Sequence, residues 1–193
     1  LLPSLGMTIN DRYFRNLVLG FGYNYHVTNW LSFGANVGYA VPIKTGLAEN
    51  IESEKSEMGN SYSVPATHLG LVSDLHVSAI PLYGKVLLLN SVSLGYDFHF
   101  MAGAGLMQVM WNTEAIDNIQ ASDSFVFTPV FGGGLRVFVT HGVALNFDVI
   151  DRFGAMNVAA KGDGTVPAEE WTHNIMFQLG VSIFLPLKIL TEE

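Results

Sequence analysis

Two copies of one spacing stand out in this chain. Asp74 and His76 are two apart in "SDLHV", and Asp97 and His99 are two apart in "YDFHF". A carboxylate beside a histidine is raw material for a metal site. It is also the charge pair of a hydrolase, which adds a nucleophile held against the imidazole. Arg136 and Asp148 complete the ionisable set, with Arg152 at its margin. No serine stands in a recognisable nucleophile context, so no catalytic residue, metal or cofactor is assigned. The structural reading is preferred: Arg136 lies between Asp148 and Asp97 or Asp74 in a hydrogen-bonded plug. Buried charge needs a partner, because an isolated ion costs on the order of several kcal/mol.

Residues two apart share a face only on a strand, and alternation recurs along the sequence. Leu17, Leu19, Phe21, Tyr23 and Tyr25 oppose Gly20, Gly22 and Asn24. Leu31, Phe33, Ala35, Val37 and Tyr39 oppose Ser32, Gly34, Asn36 and Gly38. Leu69, Leu71, Leu75 and Val77 oppose Gly70, Asp74, His76 and Ser78. Leu94, Tyr96, Phe98 and Phe100 oppose Gly95, Asp97 and His99. Phe131, Leu135, Val137 and Val139 oppose Gly132, Gly134 and Arg136, and Leu145, Phe147 and Val149 oppose Asn146 and Asp148. Ile175, Phe177, Leu179, Val181 and Ile183 oppose Asn174, Gln178, Gly180 and Ser182.

The polar faces are Gly, Ser and Asn with few charges, unlike the Lys- and Glu-rich outer face of a soluble sandwich. Composition agrees. Hydrophobic residues make up 49% and charged ones 13%, against roughly 25% charged in soluble domains. No apolar run reaches the ~18 residues of a spanning helix. Dispersed apolar residues are the mark of a transmembrane β-barrel. With Leu1 to Ile9 as the first, eight strands are predicted. The fold class is therefore all-β, an eight-stranded antiparallel transmembrane barrel of the OmpA/OmpX kind. It forms one domain over residues 1–193, with a narrow, polar lumen.

Connection lengths alternate. Short turns fall at "HVTNW" and "VTHGV"; long polar loops span Ala40 to Thr67, Trp111 to Ser124 and Arg152 to Glu170. In outer-membrane barrels short turns face the periplasm. Tyr25, Trp30, Tyr39, Trp111 and Trp171 suit the interfacial girdles. The acidic "GLAENIESEKSEMGNSYS" reads as a solvated loop and "KGDGT" as a turn. The glycine runs "AGAG" and "FGGGL" lack the Lys-Ser/Thr of a phosphate loop.

Pro81 to Val92, "PLYGKVLLLNSV", is long and apolar for a periplasmic turn. It reads as an extension of its neighbouring strands, a short interfacial helix, or a docking site. In the last case Tyr83, Lys85, Val86 and Leu88 would form a rim contact together with the tail "PLKILTEE". "FQLGVSIFLP" looks like the assembly signal of a final barrel strand, except that Leu185 is not aromatic. A formal net charge of −8 argues against nucleic acid. The chain has no cysteine, so disulfides are excluded. Its start at Leu1 fits a chain whose export signal has been removed.

The segments "IPLYGKVLLLNSVSLGYDFHFMAGAGL" and "PVFGGGLRVFVTHGVALNFDVID" resemble the outer-membrane β-barrel domain proteins of myxobacteria and other deltaproteobacteria. The matching residues are Pro81, Tyr83, Gly84 and Lys85; Ala102 to Gly105; Gly132 to Arg136 and Phe138; and Asp148 with Asp151. The resemblance implies a small barrel without enzymatic activity. Some members of that family belong to envelope-spanning machines, including gliding-motility complexes. The expected role is thus an anchor or scaffold in a cell-envelope complex of the outer membrane. The expected contacts are membrane lipid, lipopolysaccharide and other envelope proteins. The alternatives are a small pore or ligand carrier, and a lipid-modifying enzyme.

Overall fold

The computed structural model describes residues 1–11, 14–57, 67–88, 92–111, 124–156 and 170–185. These form eight strands: β1 (Leu2–Thr8), β2 (Phe14–His26), β3 (Leu31–Lys44), β4 (Thr67–Leu88), β5 (Val92–Trp111), β6 (Ser124–Thr140), β7 (Val143–Met156) and β8 (Glu170–Ile183). Each pairs antiparallel with the next, and β8 returns to β1, closing the barrel. Closure matters physically. A strand edge left open in hydrocarbon would strand its N–H and C=O groups, each at a cost of several kcal/mol.

Alternation assigns the two walls. Outward residues of β2 and β3 such as Leu19, Phe21, Phe33 and Val37 are exposed on the outside, whereas Asn16, Val18 and Ser32 are buried inside. The same holds on β5, where Phe98 and Phe100 face out and Asp97 and His99 face in. Tyr23, Tyr25 and Trp30 ring the short-turn end, and Tyr39, Phe125, Phe127 and Trp171 lie toward the long-loop end. Amphipathic rings favour these two levels in a bilayer.

Four expectations need correction. Leu69 lies inside the barrel, 6% exposed, because the β4–β5 register shifts between Leu69 and Val72. One extra residue there moves Leu69 to the inner face, which simple alternation does not foresee. Second, of the readings given for Pro81 to Val92, the strand extension holds for Pro81 to Leu88 and the interfacial helix does not. This segment pairs with β5 from Leu82↔Phe98 to Leu88↔Val92, after a second shift between Ala79 and Leu82. Third, the acidic segment is no plain loop. β3 runs on to Lys44, and a helix, α1 (Gly46–Glu57), follows. Glu49 in its first turn complements the helix dipole, and Ala48 is buried at 1% exposure.

Fourth, the lumen is only partly polar. Val18, Leu69, Val72, Met101, Met107, Val130, Ile150 and Met176 belong to an apolar interior cluster. On β4, β5 and β6 this cluster lies on the long-loop side of Asp74, His99 and Arg136. A barrel of eight strands leaves an interior that side chains fill. Methionine and valine fill it there, so on those three strands the charged residues lie toward the short-turn side, while Arg152 on β7 lies at the level of Val130 in the apolar cluster. The segments "KGDGT" and "PLKILTEE" (from Pro186) lie outside the described residues, as does the Leu88 side chain.

Candidate functional site

β4, β5, β6 and β7 carry all of the predicted charged set, and every member points inward and is buried. Asp74, Asp97 and Asp148 are each 4% exposed; His76, His99 and Arg136 are each 6%. The structure divides them into two clusters rather than one plug.

The first cluster is centred on Asp74. Its Oδ2 accepts a hydrogen bond from Arg152 Nη2 at 2.8 Å. Its Oδ1 lies 2.9 Å from His76 Nδ1 and accepts from Asn36 Nδ2 at 3.0 Å. The other ring nitrogen of His76, Nε2, is 3.0 Å from Asn24 Oδ1. Both nitrogens of this imidazole are therefore engaged, and it has no free lone pair to act as a base or ligand. Within the cluster only Arg152 Nε has no partner among the described residues.

The second cluster is looser. His99 Nε2 lies 3.0 Å from Asp148 Oδ1 as a charge contact, not an aligned hydrogen bond. His99 Nδ1 is 3.7 Å from Asp97 Oδ1, and Arg136 Nη1 is 3.6 Å from Asp97 Oδ2. Asp97 Oδ1, His99 Nδ1, Arg136 Nε and Asp148 Oδ1 have no hydrogen-bond partner among the described residues. Among the described residues, Arg136 thus pairs with Asp97 alone. Asp148 goes to His99, and Asp74 goes to Arg152, so the single bridge expected of Arg136 is replaced by two separate chains. Sequence reasoning could not choose between two arginines, because alternation gives a face and not a neighbour.

Glycines opposite the polar residues make room for them. His76 faces Gly34 across β3–β4 and Gly103 across β4–β5; Asp74 faces Gly105; Gly134 faces both His99 and Asp148. A methyl group at Gly34 would collide with His76 and Asn24, and one at Gly134 with Asp148. In so narrow an interior, a large polar side chain needs a hydrogen atom across from it.

The interior narrows at the clusters. A cavity of about 20 Å³ touches His76, His99, Arg136 and Asp148, and another of about 10 Å³ touches Arg152. Each is about the size that holds a single water. At the short-turn mouth the space opens into a pocket of about 380 Å³ whose lining includes Asn24, His26, Arg136, Ser182 and Phe184. Phe184, just past β8, stacks on Phe138 with ring centroids 5.6 Å apart, and its ring lies 5.6 Å from the Arg136 guanidinium carbon. Phe184 was not singled out from the sequence. Its period-two relation to Gln178, Gly180 and Ser182 was the available signal.

The predicted rim residues stand on the β4–β5 hairpin. Tyr83 is 86% exposed, and Lys85 and Val86 are exposed too. Tyr83 pairs with Asp97, Lys85 with Gly95 and Val86 with Leu94. A groove of about 510 Å³ runs past Asn29, Ile80, Tyr83, Lys85, Tyr96 and Phe138.

No family model matches this chain. No curated protein matches it either. Among solved structures, the crystal structure of Neisserial surface protein A (NspA) is similar to it. The TM-score is 0.47 and the identity 14%, over 94% of this chain and 92% of that one.

Proposed function

We propose that this chain is a closed-lumen barrel of a Gram-negative outer membrane. In this reading it acts without enzymatic activity, as an anchor or scaffold subunit of a cell-envelope assembly. The observation that carries the proposal is the β4–β5 hairpin. The β3–β4 ladder stops at Leu31↔Ala79, with one further bond from Ile80 N–H to Trp30 O at 2.8 Å. The β5–β6 ladder stops at Gly95↔Phe138. The hairpin continues beyond both to Leu88 and Val92. Among the described residues its outer edges are therefore unpaired, and it exposes Leu82, Tyr83, Val86 and Leu87. Free edges and apolar patches are where chains add strands or dock.

The short-turn end is assigned to the periplasm from the inequality of the connections. The hairpin then reaches toward periplasmic or inner-envelope components, while the outer wall holds lipid and lipopolysaccharide. The motif-level resemblance to deltaproteobacterial barrels favours an envelope-spanning machine, the gliding-motility kind among them. The charged clusters serve as the plug, which argues against the pore reading.

The test is co-purification from solubilised outer membranes with Leu82→Ser and Val86→Ser combined. Loss of a partner that accompanies the wild type, with unchanged heat-modifiable gel mobility, supports docking at the hairpin. Retention of that partner, or its loss instead on deleting residues 46–57, places the contact on the opposite rim and ends this reading.

A further inference from the structure

The two clusters use their arginines differently, and the difference lies next to a pocket. Arg152 is closed off by Asp74. Arg136 has one partner at 3.6 Å, an Nε with none among the described residues, and 7% side-chain exposure. It forms the inner end of the 380 Å³ pocket at the short-turn mouth. A guanidinium offers five N–H donors in a planar fork that fits a carboxylate with two parallel bonds. Asp97 lies against only one of its terminal nitrogens, which leaves the rest of the fork unused.

The pocket lining matches that donor. Among the described residues its lining has no carboxylate, and its basic side chains are Arg136 and His26. Asp97 lies against Arg136 Nη1 at 3.6 Å, and Asp148 lies against His99 at 3.0 Å. Ser182 and Asn24 add polar atoms, although Ser182 donates to Asn146 at 2.8 Å. Leu2, Tyr25 and Phe184 supply apolar wall. A few convergent polar groups within an apolar enclosure of 300 Å³ or more are the general form of a small-molecule site. Below the guanidinium the space shrinks to about 20 Å³, so the pocket is blind.

We propose that the short-turn mouth is a binding site for a small organic carboxylate with an apolar body. Arg136 takes the carboxylate through its unused edge. Leu2, Tyr25 and Phe184 take the body. Phe184 now covers the guanidinium face, and it must shift for the ligand to seat. The plug function does not require such a ligand, and the site does not require the lumen to conduct.

The experiment uses the full chain in lipid nanodiscs with ¹⁵N-labelled arginine. The Arg136 Nε–H resonance is followed during titration with hexanoate, hexylamine, hexanol and inorganic phosphate. Hexanoate is expected to shift it saturably, at least tenfold more tightly than hexanol or phosphate, with no saturable shift from hexylamine. A hexylamine response equal to that of hexanoate overturns the anion assignment. A phosphate response as tight as hexanoate overturns the apolar wall. No saturable response to hexanoate overturns the site. Arg136→Gln should abolish hexanoate binding read from Tyr25 and Phe184 ring signals. Should that variant not fold, the four-probe comparison on the wild type decides alone.

Discussion

The Asp74 cluster and the Asp97–His99 cluster contain the same residue types at the same spacing, yet they are built to different standards. Around Asp74, both carboxylate oxygens and both nitrogens of His76 have partners at 2.8 to 3.0 Å. Around Asp97, the arginine stands off at 3.6 Å and four polar atoms lack partners among the described residues. Two asparagines make the difference. Asn24 and Asn36 come from β2 and β3 and complete the first cluster. In the second, β6 sets Arg136 across from Asp97 and Gly134 across from His99, with no asparagine at either place, and its lumen side opens on the mouth. A buried carboxylate with both oxygens bonded is fixed in place. A buried charge less fully bonded remains available to a ligand.

The comparison can be broken by removing each arginine in turn. Arg152→Ala takes the arginine from a buried carboxylate, leaves Asp74 Oδ2 without its partner, and should cost about 3–5 kcal/mol. Urea unfolding of the protein refolded in lipid vesicles measures it. Arg136→Ala removes a looser contact beside the open mouth, and about 1–3 kcal/mol is expected from the groups left unsatisfied. Equal losses would show that the two clusters are equivalent and that the distances mislead.

The outer wall provides a scale between those two effects. Phe98→Arg puts a charge into lipid and should cost about 2–4 kcal/mol near the midplane, read by the same unfolding. A variant as stable as the wild type would reverse the face assignment of β5. The smallest effects separate two glycines. Gly103→Ser pushes into the Leu75 carbonyl and the His76 backbone and should cost about 1–3 kcal/mol by overpacking. A side chain at Gly95 meets only the Phe138 ring, at 3.5 Å, so Gly95→Ser should change stability by less than about 0.5 kcal/mol. Comparable losses at both sites would remove the steric account of the Asp74 cluster.

The barrel was legible in the sequence because period-two alternation and a dispersed apolar content are physical demands of two solvents, lipid outside and a narrow interior within. The inward direction of Asp74, His76, Asp97, His99, Arg136 and Asp148 followed from the same signal. Their partners did not. Pairing depends on register and on bulges, and the shifts after Leu69 and Ala79 leave no trace in hydropathy. Leu69 was misplaced for that reason. The helix over Gly46–Glu57 was hidden by composition, since its apolar residues are too few to show a helical stripe.

The glycines across from the polar residues also bear on how the strands find their alignment. A slide of one residue would turn every side chain to the wrong solvent and is forbidden by alternation. A slide of two keeps every face correct, so alternation cannot prevent it. Here it would bring Met101 against His76 in one direction, or Met107 against Asp74 in the other, in place of Gly103 and Gly105. On the other side of β4, His76 would meet Ser32 or Asn36 instead of Gly34. The niches act as notches on a ratchet, and β3, β4 and β5 can close flush only when each bulky side chain has dropped into its own.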